Sequence, residues 1–391
     1  MYAVAGPGVW LLLGLGLITA RIRMGKLQAA RVGLPEGATP PTVAVVIPAH
    51  NEAAGIRDCL TSVLAMTYRG GAFRVIAVDD RSTDGTAEAM DELARFDPRL
   101  TVVRLNTKPN DWLGKCNALR EGMARVPEEV EWGLFIDSDV KVRPGAMEET
   151  LGMALRRKAD AVSILTRQRC DTFFEKLLTP IGCAAILAMY AASLTNQDNR
   201  RRSAFANGQF FLIRRSVYEQ VGGHAAVRDH PVEDVALMRL LKASGAKCRL
   251  YSGDHLAETR MYDSLGRMFK GWGRIYSGAS GRRPWRILLG SGVVVSGLAA
   301  FLAVPVALVG GAGLAGWQVG LTVVHLLAVV GCVAAVYRWS GNSPLLAVLF
   351  PLAAVFQLAF YGYALWWCFT NRMEWRGTAY SAPGRESAPG R

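Results

Sequence analysis

The sequence predicts an α/β protein with a mostly parallel central sheet, carrying transmembrane helices at both ends. Three observations lead there. Between residues 41 and 285, short apolar runs alternate with stretches of helical length and pattern. Residues 1–20, "MYAVAGPGVWLLLGLGLITA", hold no charge. Segments 287–313, 317–337 and 345–369 are almost as apolar, with breaks at "GGAGLAG" and "RWSGNSP". Each is close to the roughly 20 residues that cross a bilayer.

Taken in order, "TVAVVIP" (42–48) reads as a buried strand ended by proline, and "FRVIAVDD" (73–80) as a second. "LTVVRL" (100–105), "EWGLFIDSD" (131–139) and "DAVSIL" (160–165) come next. Helical patterns at 52–66, 86–96, 115–125 and 146–158 separate them. Strands alternating with helices of this length imply a sheet covered on both faces. Ligands of such sheets collect beyond the carboxyl ends of the strands. Three polar clusters fall there: "PAHNE", "DDRSTDGT" and "DSD".

Charge and cysteine content narrow the class. The formal net charge of +13 is spread along the chain without a nucleic-acid motif, so anionic lipid and a diphosphate ligand are the expected partners rather than nucleic acid. Seven cysteines without a C-x-x-C pair fit a reducing compartment. None of the five histidines stands at a zinc-binding spacing, which argues against a structural zinc site. Arg21, Arg23, Lys26 and Arg31 come after the first apolar run, as in a retained anchor, and hold the downstream domain in the cytoplasm. Lys270, Arg274, Arg282, Arg283 and Arg286 give the same sidedness before the second run. One span in front and three behind would place Arg372 and Arg376 outside, against the rule. A re-entrant or interfacial segment among the four removes that conflict.

Two carboxylates, Asp137 and Asp139, close an apolar run. Residues i and i+2 of an extended segment project to one side, and such a pair can share Mg²⁺ or Mn²⁺ with a phosphate. A solvated turn is the plain alternative; the buried run in front favours the cation. "DDRSTDGT" imitates an EF-hand loop, but a strand leads into it where that loop needs a helix, so calcium is rejected. Asp79 or Asp80 there can accept from a base or ribose, while Asp84 caps the next helix. "WLGK" puts Gly114 and Lys115 at a helix entry suited to phosphate, but it lacks the glycine spacing of a P-loop, and taken alone an exposed lysine is the plainer explanation. "HPVEDVALMRLLKASG" (230–245) is an amphipathic helix with Glu233 and Asp234 in its first turn, favoured by the helix dipole or placed as a base. "DSLGRMFKGWGRIYSG" (263–278) is a basic, aromatic amphipathic helix for a membrane interface or a protein surface. Residues 173–194 read as interfacial or buried, a floor for a lipid acceptor.

Together "VVIPAHNEA", "VDDRSTDGT", "IDSD", "NGQFFLIRRSVYEQVGGH" and "VEDVALMRLLKASG" resemble, in content and order, the membrane-bound family 2 glycosyltransferases over roughly residues 42–250. "WLGK", "RMYDSLGRMFKGW" and "MEWRGTAY" (373–380) resemble its hopanoid- and carotenoid-associated subgroup. The resemblance implies a GT-A fold, a nucleotide-sugar donor (a UDP-sugar first) and transfer with inversion. It implies that Pro48, Ala49 and Glu52 line the nucleotide site and that Asp80, with Asp79, contacts the nucleoside. Asp137 and Asp139 would hold the diphosphate through Mg²⁺ or Mn²⁺ with Lys115 nearby, and Asp234, beside Glu233, would be the base. Asn207, Gly208, Arg267, Trp272 and Arg274 fall on the acceptor and diphosphate side. Processive members carry Q-x-x-R-W where this chain has "MFKGW", keeping only Trp272. That favours a single transfer to a membrane lipid over polysaccharide synthesis, with a catalytically silent scaffold as the rival from another class.

The expected organisation is an anchor at 1–20, a basic linker at 21–40, the catalytic domain at 41–262 and an amphipathic helix at 263–285. Membrane helices at 286–370 and a partly disordered tail at 371–391 complete a multi-pass protein of the cell membrane with a cytoplasmic catalytic domain.

Overall fold

The computed structural model describes residues 2–24, 33–69, 71, 73–200, 203–309, 316–370, 372–375 and 378–381. Lys26, Arg31, Arg376, the break at 310–315 and the end beyond 381 lie outside the described residues. The chain opens with α1 (Tyr2–Met24) and continues β1 (Val43–Ala49), α2 (Ile56–Leu64), β2 (Arg74–Asp80), α3 (Thr86–Ala94), β3 (Leu100–Leu105) and α4 (Gly114–Met123). After these come β4 (Trp132–Ile136), β5 (Val140–Val142), α5 (Ala146–Arg156), β6 (Ala161–Leu165), β7 (Arg167–Gln168) and α6 (Phe173–Met189). Next are β8 (Phe210–Arg214), α7 (Arg215–Gln220), α8 (Glu233–Ala243), β9 (Cys248–Ser252), β10 (Ala257–Thr259) and α9 (Leu265–Ala279). The last elements are α10 (Pro284–Val309), α11 (Gly316–Trp339), α12 (Phe350–Thr370) and the hairpin β11 (Arg372–Trp375) and β12 (Thr378–Ser381).

Two compact units result, one of residues 19–169 and 190–261, the other of 1–18, 170–189 and 262–391. The first holds a seven-stranded sheet in the order β3-β2-β1-β4-β8-β6-β9. Four of its neighbour pairs are parallel and two, both made by β8, antiparallel. Side chains alternate as strands require. Val45, Ile47, Val75 and Ala77 pack with Leu60, Met90 and Leu151 of α2, α3 and α5. Val46, Ile76 and Val78 pack on the other face with Leu119, Leu237 and Leu241 of α4 and α8. The sequence pattern does not reveal β8, because "QFFLIR" runs into α7 with no turn residue between them.

The second unit is helical. Among the described residues, three segments are long and apolar enough to cross a membrane: Pro284–Val306, Gly316–Trp339 and Pro344–Thr370. Helix directions are set by contacts inside this unit. α12 lies antiparallel to α10, since Cβ atoms built at Gly290 and Gly297 would touch Tyr361 and Phe350 respectively. α12 is parallel to α9: Phe269 meets Phe356 and Phe360, Tyr276 meets Tyr361, and the Ser280 hydroxyl reaches Cys368. α1 runs parallel to α11, with Gly6 at His325 and the Trp10 carbonyl accepting from the Cys332 thiol. The short link between Val309 and Gly316 makes α10 and α11 antiparallel neighbours. Hence the C-terminal ends of α1, α11 and α12 share one end with the start of α10. Phe350 stacks edge-on against Trp10, at mid-length of α1. Leaving Trp339, the chain therefore turns back to that depth through a 3₁₀ segment, Pro344–Leu349. α6 belongs to this unit as well: Gly182 packs on the Trp272 ring, and the Tyr337 hydroxyl donates to the Leu177 carbonyl at 2.7 Å.

Candidate active site

Register brings the polar clusters to one edge. β1 pairs Ala49 with Asp79 of β2 and Val46 with Phe135 of β4, which sets Ala49 level with the turn after β4. β8 is antiparallel and begins at this edge, with Phe210 opposite Ile136. Asn207 and Gly208 are thereby delivered beside the carboxyl ends of parallel strands.

After Pro48 and Ala49, the β1 exit is tied to the β2 exit. Asn51, in the left-handed region at φ 54°, donates its N–H to the Ser82 hydroxyl at 3.0 Å, and its side-chain oxygen accepts from the Thr83 N–H at 2.9 Å. The Glu52 N–H donates to the Thr86 hydroxyl at 2.8 Å, and the Ala53 N–H to Asp84 at 3.1 Å. Asp84 also accepts from the Thr86 N–H at the start of α3, at 3.1 Å. Asp79 and Asp80 are each 4% exposed. Arg81 grips Asp80 through two N–H donors at 2.8 and 3.1 Å. Gly114 is required there, since a Cβ would strike the Asp80 carboxylate. Asp79 differs: its Oδ1 is buried without a hydrogen-bond partner. An orphan acceptor in a protein interior is costly, so an incoming N–H donor has a place to go.

Contrary to the expectation from the sequence, Asp137 and Asp139 do not lie on an extended segment. β4 stops at Ile136, and Asp137 to Val140 form a turn closed by the Val140 N–H on the Asp137 carbonyl at 3.1 Å. The strand ends here because β5 joins β10 and β7 in a separate three-stranded sheet. Both carboxylates nevertheless gather near Cys59 of α2. Burial raises that thiol's pKa, and the negative charges of Asp139, Asp137 and Glu52 raise it further. The Thr259 hydroxyl of β10 fixes the turn by donating to the Asp139 carbonyl at 3.2 Å.

Lys115 links this turn to α8. Its ammonium lies 2.7 Å from Asp137 Oδ1 and 2.7 Å from Glu233 Oε1. Burial alone would lower the lysine pKa, but Asp137, Glu233 and Asp234 reverse that and hold it well above the ordinary range. Burial works against ionised Glu233 too, and Lys115 keeps its pKa below the usual value. Asp234 ends up on the other side of neutrality. Burial, then the charge of Glu233, push it up to about 7 against Lys115 and the N–H groups of Val235 and Gly208. Those two N–H groups each donate to its carboxylate at 2.7 Å. One acid held ionised beside one poised near neutral is the arrangement expected of a base and its tuning partner. His224 behind them is kept neutral, burial lowering its pKa to about 4, and its ring meets the Tyr218 hydroxyl at 2.9 Å.

Asp80, Gly114, Lys115, Asp137, Glu233, Asp234 and Gly208 thus form an unbroken line of contacts along the edge. Asn207 holds its end of the line with its N–H on the Ser163 hydroxyl at 2.7 Å and its amide on the Ile164 carbonyl at 3.0 Å. Sequence reasoning missed Arg81, His224 and Gln209, the last accepting from Thr166, Gln168 and Asn207. Only the "NGQ" motif hinted at Gln209. Arg267, Trp272 and Arg274 belong to the helical unit. Trp272 is 1% exposed, stacked on Tyr276, and its indole N–H is buried without a partner. Arg267 is exposed and pairs with Asp263 at 2.8 Å, and Arg274 is half-buried.

A mostly parallel sheet with acidic turns at the carboxyl ends of β2 and β4, and a carboxylate-bearing helix across from them, defines a GT-A-like α/β domain. Residues 44–222 match the model of glycosyl transferase family 2, and the chain carries a domain of that family. A 4,4'-diaponeurosporenoate glycosyltransferase of Staphylococcus haemolyticus is 24% identical over 65% of this chain and 66% of its own. A beta-monoglucosyldiacylglycerol synthase of Synechocystis is 31% identical over 55% of this chain and 46% of its own. The chain thus spans just under two thirds of the first relative and less than half of the second. A solved mannosyltransferase of Pyrobaculum calidifontis, in complex with GDP-Man and Mn²⁺, superposes with a TM-score of 0.54. It covers 93% of this chain and 98% of its own at 16% identity, a likeness of fold.

Proposed function

We propose that the protein moves one sugar, with inversion, from a nucleotide-sugar donor to a hydroxyl of a membrane lipid. The observation that carries this is the Lys115 bridge, which joins the Asp137 turn to the Glu233–Asp234 helix start. It brings the turn proposed to face the diphosphate within one short span of the proposed base. Asp234, poised near neutrality, accepts the acceptor hydroxyl proton as the oxygen attacks the anomeric carbon opposite the diphosphate. Gly208 and Val235 orient its carboxylate, and Glu233 keeps its proton affinity high. Asp79, with its unpartnered oxygen, accepts from the base or ribose.

Among the described residues no three His, Cys, Asp or Glu side chains assemble a metal cage. A pair of hard carboxylate oxygens, Asp137 and Asp139, fits a divalent cation that takes its other ligands from diphosphate and water. Bound there with the donor, that cation offsets the charge gathering on the leaving diphosphate. The relatives named for a carotenoid-type acid and a diacylglycerol support a lipid acceptor. The neighbour solved with GDP-Man and Mn²⁺ supports a nucleotide sugar and a metal.

The helix directions support a cytoplasmic active site. Arg21 and Arg23 close α1, Arg338 closes α11, Arg282, Arg283 and Arg286 flank the start of α10, and Arg372 comes two residues after the end of α12. Arg282, Arg283, Arg286, Arg338 and Arg372 fall at one end of the helical unit, the cytoplasmic end by the positive-inside rule, and Arg21 and Arg23 lie at the matching end of α1. A re-entrant 340–349 segment, which the packing of Phe350 on Trp10 supports, removes the conflict posed by Arg372. Mass spectrometry of lipids from a host expressing the protein should show a new hexosyl lipid, absent with Asp234→Asn. An unchanged lipid profile with both proteins would refute the proposal.

A further inference from the structure

We infer that Lys115 is an internal stand-in for the donor-associated cation, occupying Asp137 until donor and cation arrive together. This rests on the proposed cation site at Asp137 and Asp139. The ammonium lies 2.7 Å from Asp137 Oδ1, as near as a hydrogen-bonded cation can come, on the same carboxylate a divalent ion would use. It is held from behind by Glu233 at 2.7 Å. Its side chain is only 22% exposed, so water screens it poorly. A divalent ion entering alone must therefore displace or repel a fixed positive charge. A donor diphosphate changes that balance, since its negative charge can take up the ammonium as Asp137 turns to the cation. Glu233 then serves as the pivot: Lys115 can release Asp137 without leaving the site. An empty protein consequently has little affinity for free cation, and its acidic edge stays neutralised between turnovers.

The test is Mn²⁺ binding, monitored by electron paramagnetic resonance on the full chain in detergent, first with Mn²⁺ alone and then with added UDP or GDP. Wild type and Lys115→Arg, which keep the charge, should bind Mn²⁺ alone weakly. Lys115→Met and Lys115→Gln should each bind it at least about tenfold more tightly, and adding Asp139→Ala to either should erase the gain. Two substitutions of different polarity guard against misfolding of one. Affinity for Mn²⁺ alone that is unchanged or weaker in both overturns the inference, as does a gain that survives Asp139→Ala. Failure of every protein to bind Mn²⁺ even with UDP or GDP would instead bring down the cation site itself.

Discussion

Replacing Gly208 by alanine moves the proposed base without altering its charge. A Cβ built at Gly208 lies 3.0 Å from Asp234 Oδ2 and 3.3 Å from its Cβ. An ordinary C···O contact is about 3.4 Å, so the carboxylate must retreat by about 0.4 Å. The 2.7 Å bond from the Gly208 N–H is stretched at the same time. Misplacement by about 1 Å costs reacting groups on the order of 10²-fold, so a shift of a few tenths should cost about tenfold in kcat. Donor KM should change little, because the nucleoside end of the site is untouched. Initial rates with the nucleotide sugar that wild type turns over, alongside a thermal unfolding scan, measure both. A Gly208→Ala protein with wild-type kcat and unchanged unfolding would refute the placement of Asp234 as base.

The pH dependence carries a sign. With Asp234 raised to about 7, kcat/KM should climb as pH rises through that value and then level off. Glu233→Gln removes a charge that raises it, so the rising limb of the rate profile should move to lower pH. An acid with a pKa of 3.8 unfolded and about 7 folded favours the folded state below the lower value. That stabilisation fades as pH rises through the higher one, which a series of unfolding scans from pH 4 to pH 8 would register. Buried Lys242 donates to the carbonyls of Thr195, Gln197 and Ser203 at 2.7, 3.1 and 2.9 Å. Lys242→Met should cost on the order of 3–5 kcal/mol by orphaning them, seen as a lowered denaturation midpoint. A green fluorescent reporter on the C-terminal tail should fluoresce in a bacterial host while an alkaline phosphatase there stays inactive; the reverse would place the end of α12 outside.

The parallel half of the sheet was legible because strands buried on both faces leave uninterrupted apolar runs such as "TVAVVIP", and their acidic ends stand out. β8 was not, since its register depends on partners distant in sequence and no turn residue marks its end. The Asp137–Asp139 geometry was misjudged for a related reason: β5 leaves the main sheet, and nothing in "DSDVKV" announces the change. Lys115 looked like an ordinary exposed lysine because its two carboxylates come from far along the chain. Which of the four apolar segments turns back was not legible either, since composition alone does not show that Phe350 packs against Trp10 at mid-length of α1.

The return of the chain at mid-depth before α12 has a consequence for the cell. If transfer runs on the cytoplasmic side, as proposed, acceptor and product share the inner leaflet. Display of such a product on the opposite surface would then need a separate translocating step, which nothing among the described residues provides for a lipid headgroup once it carries a polar sugar.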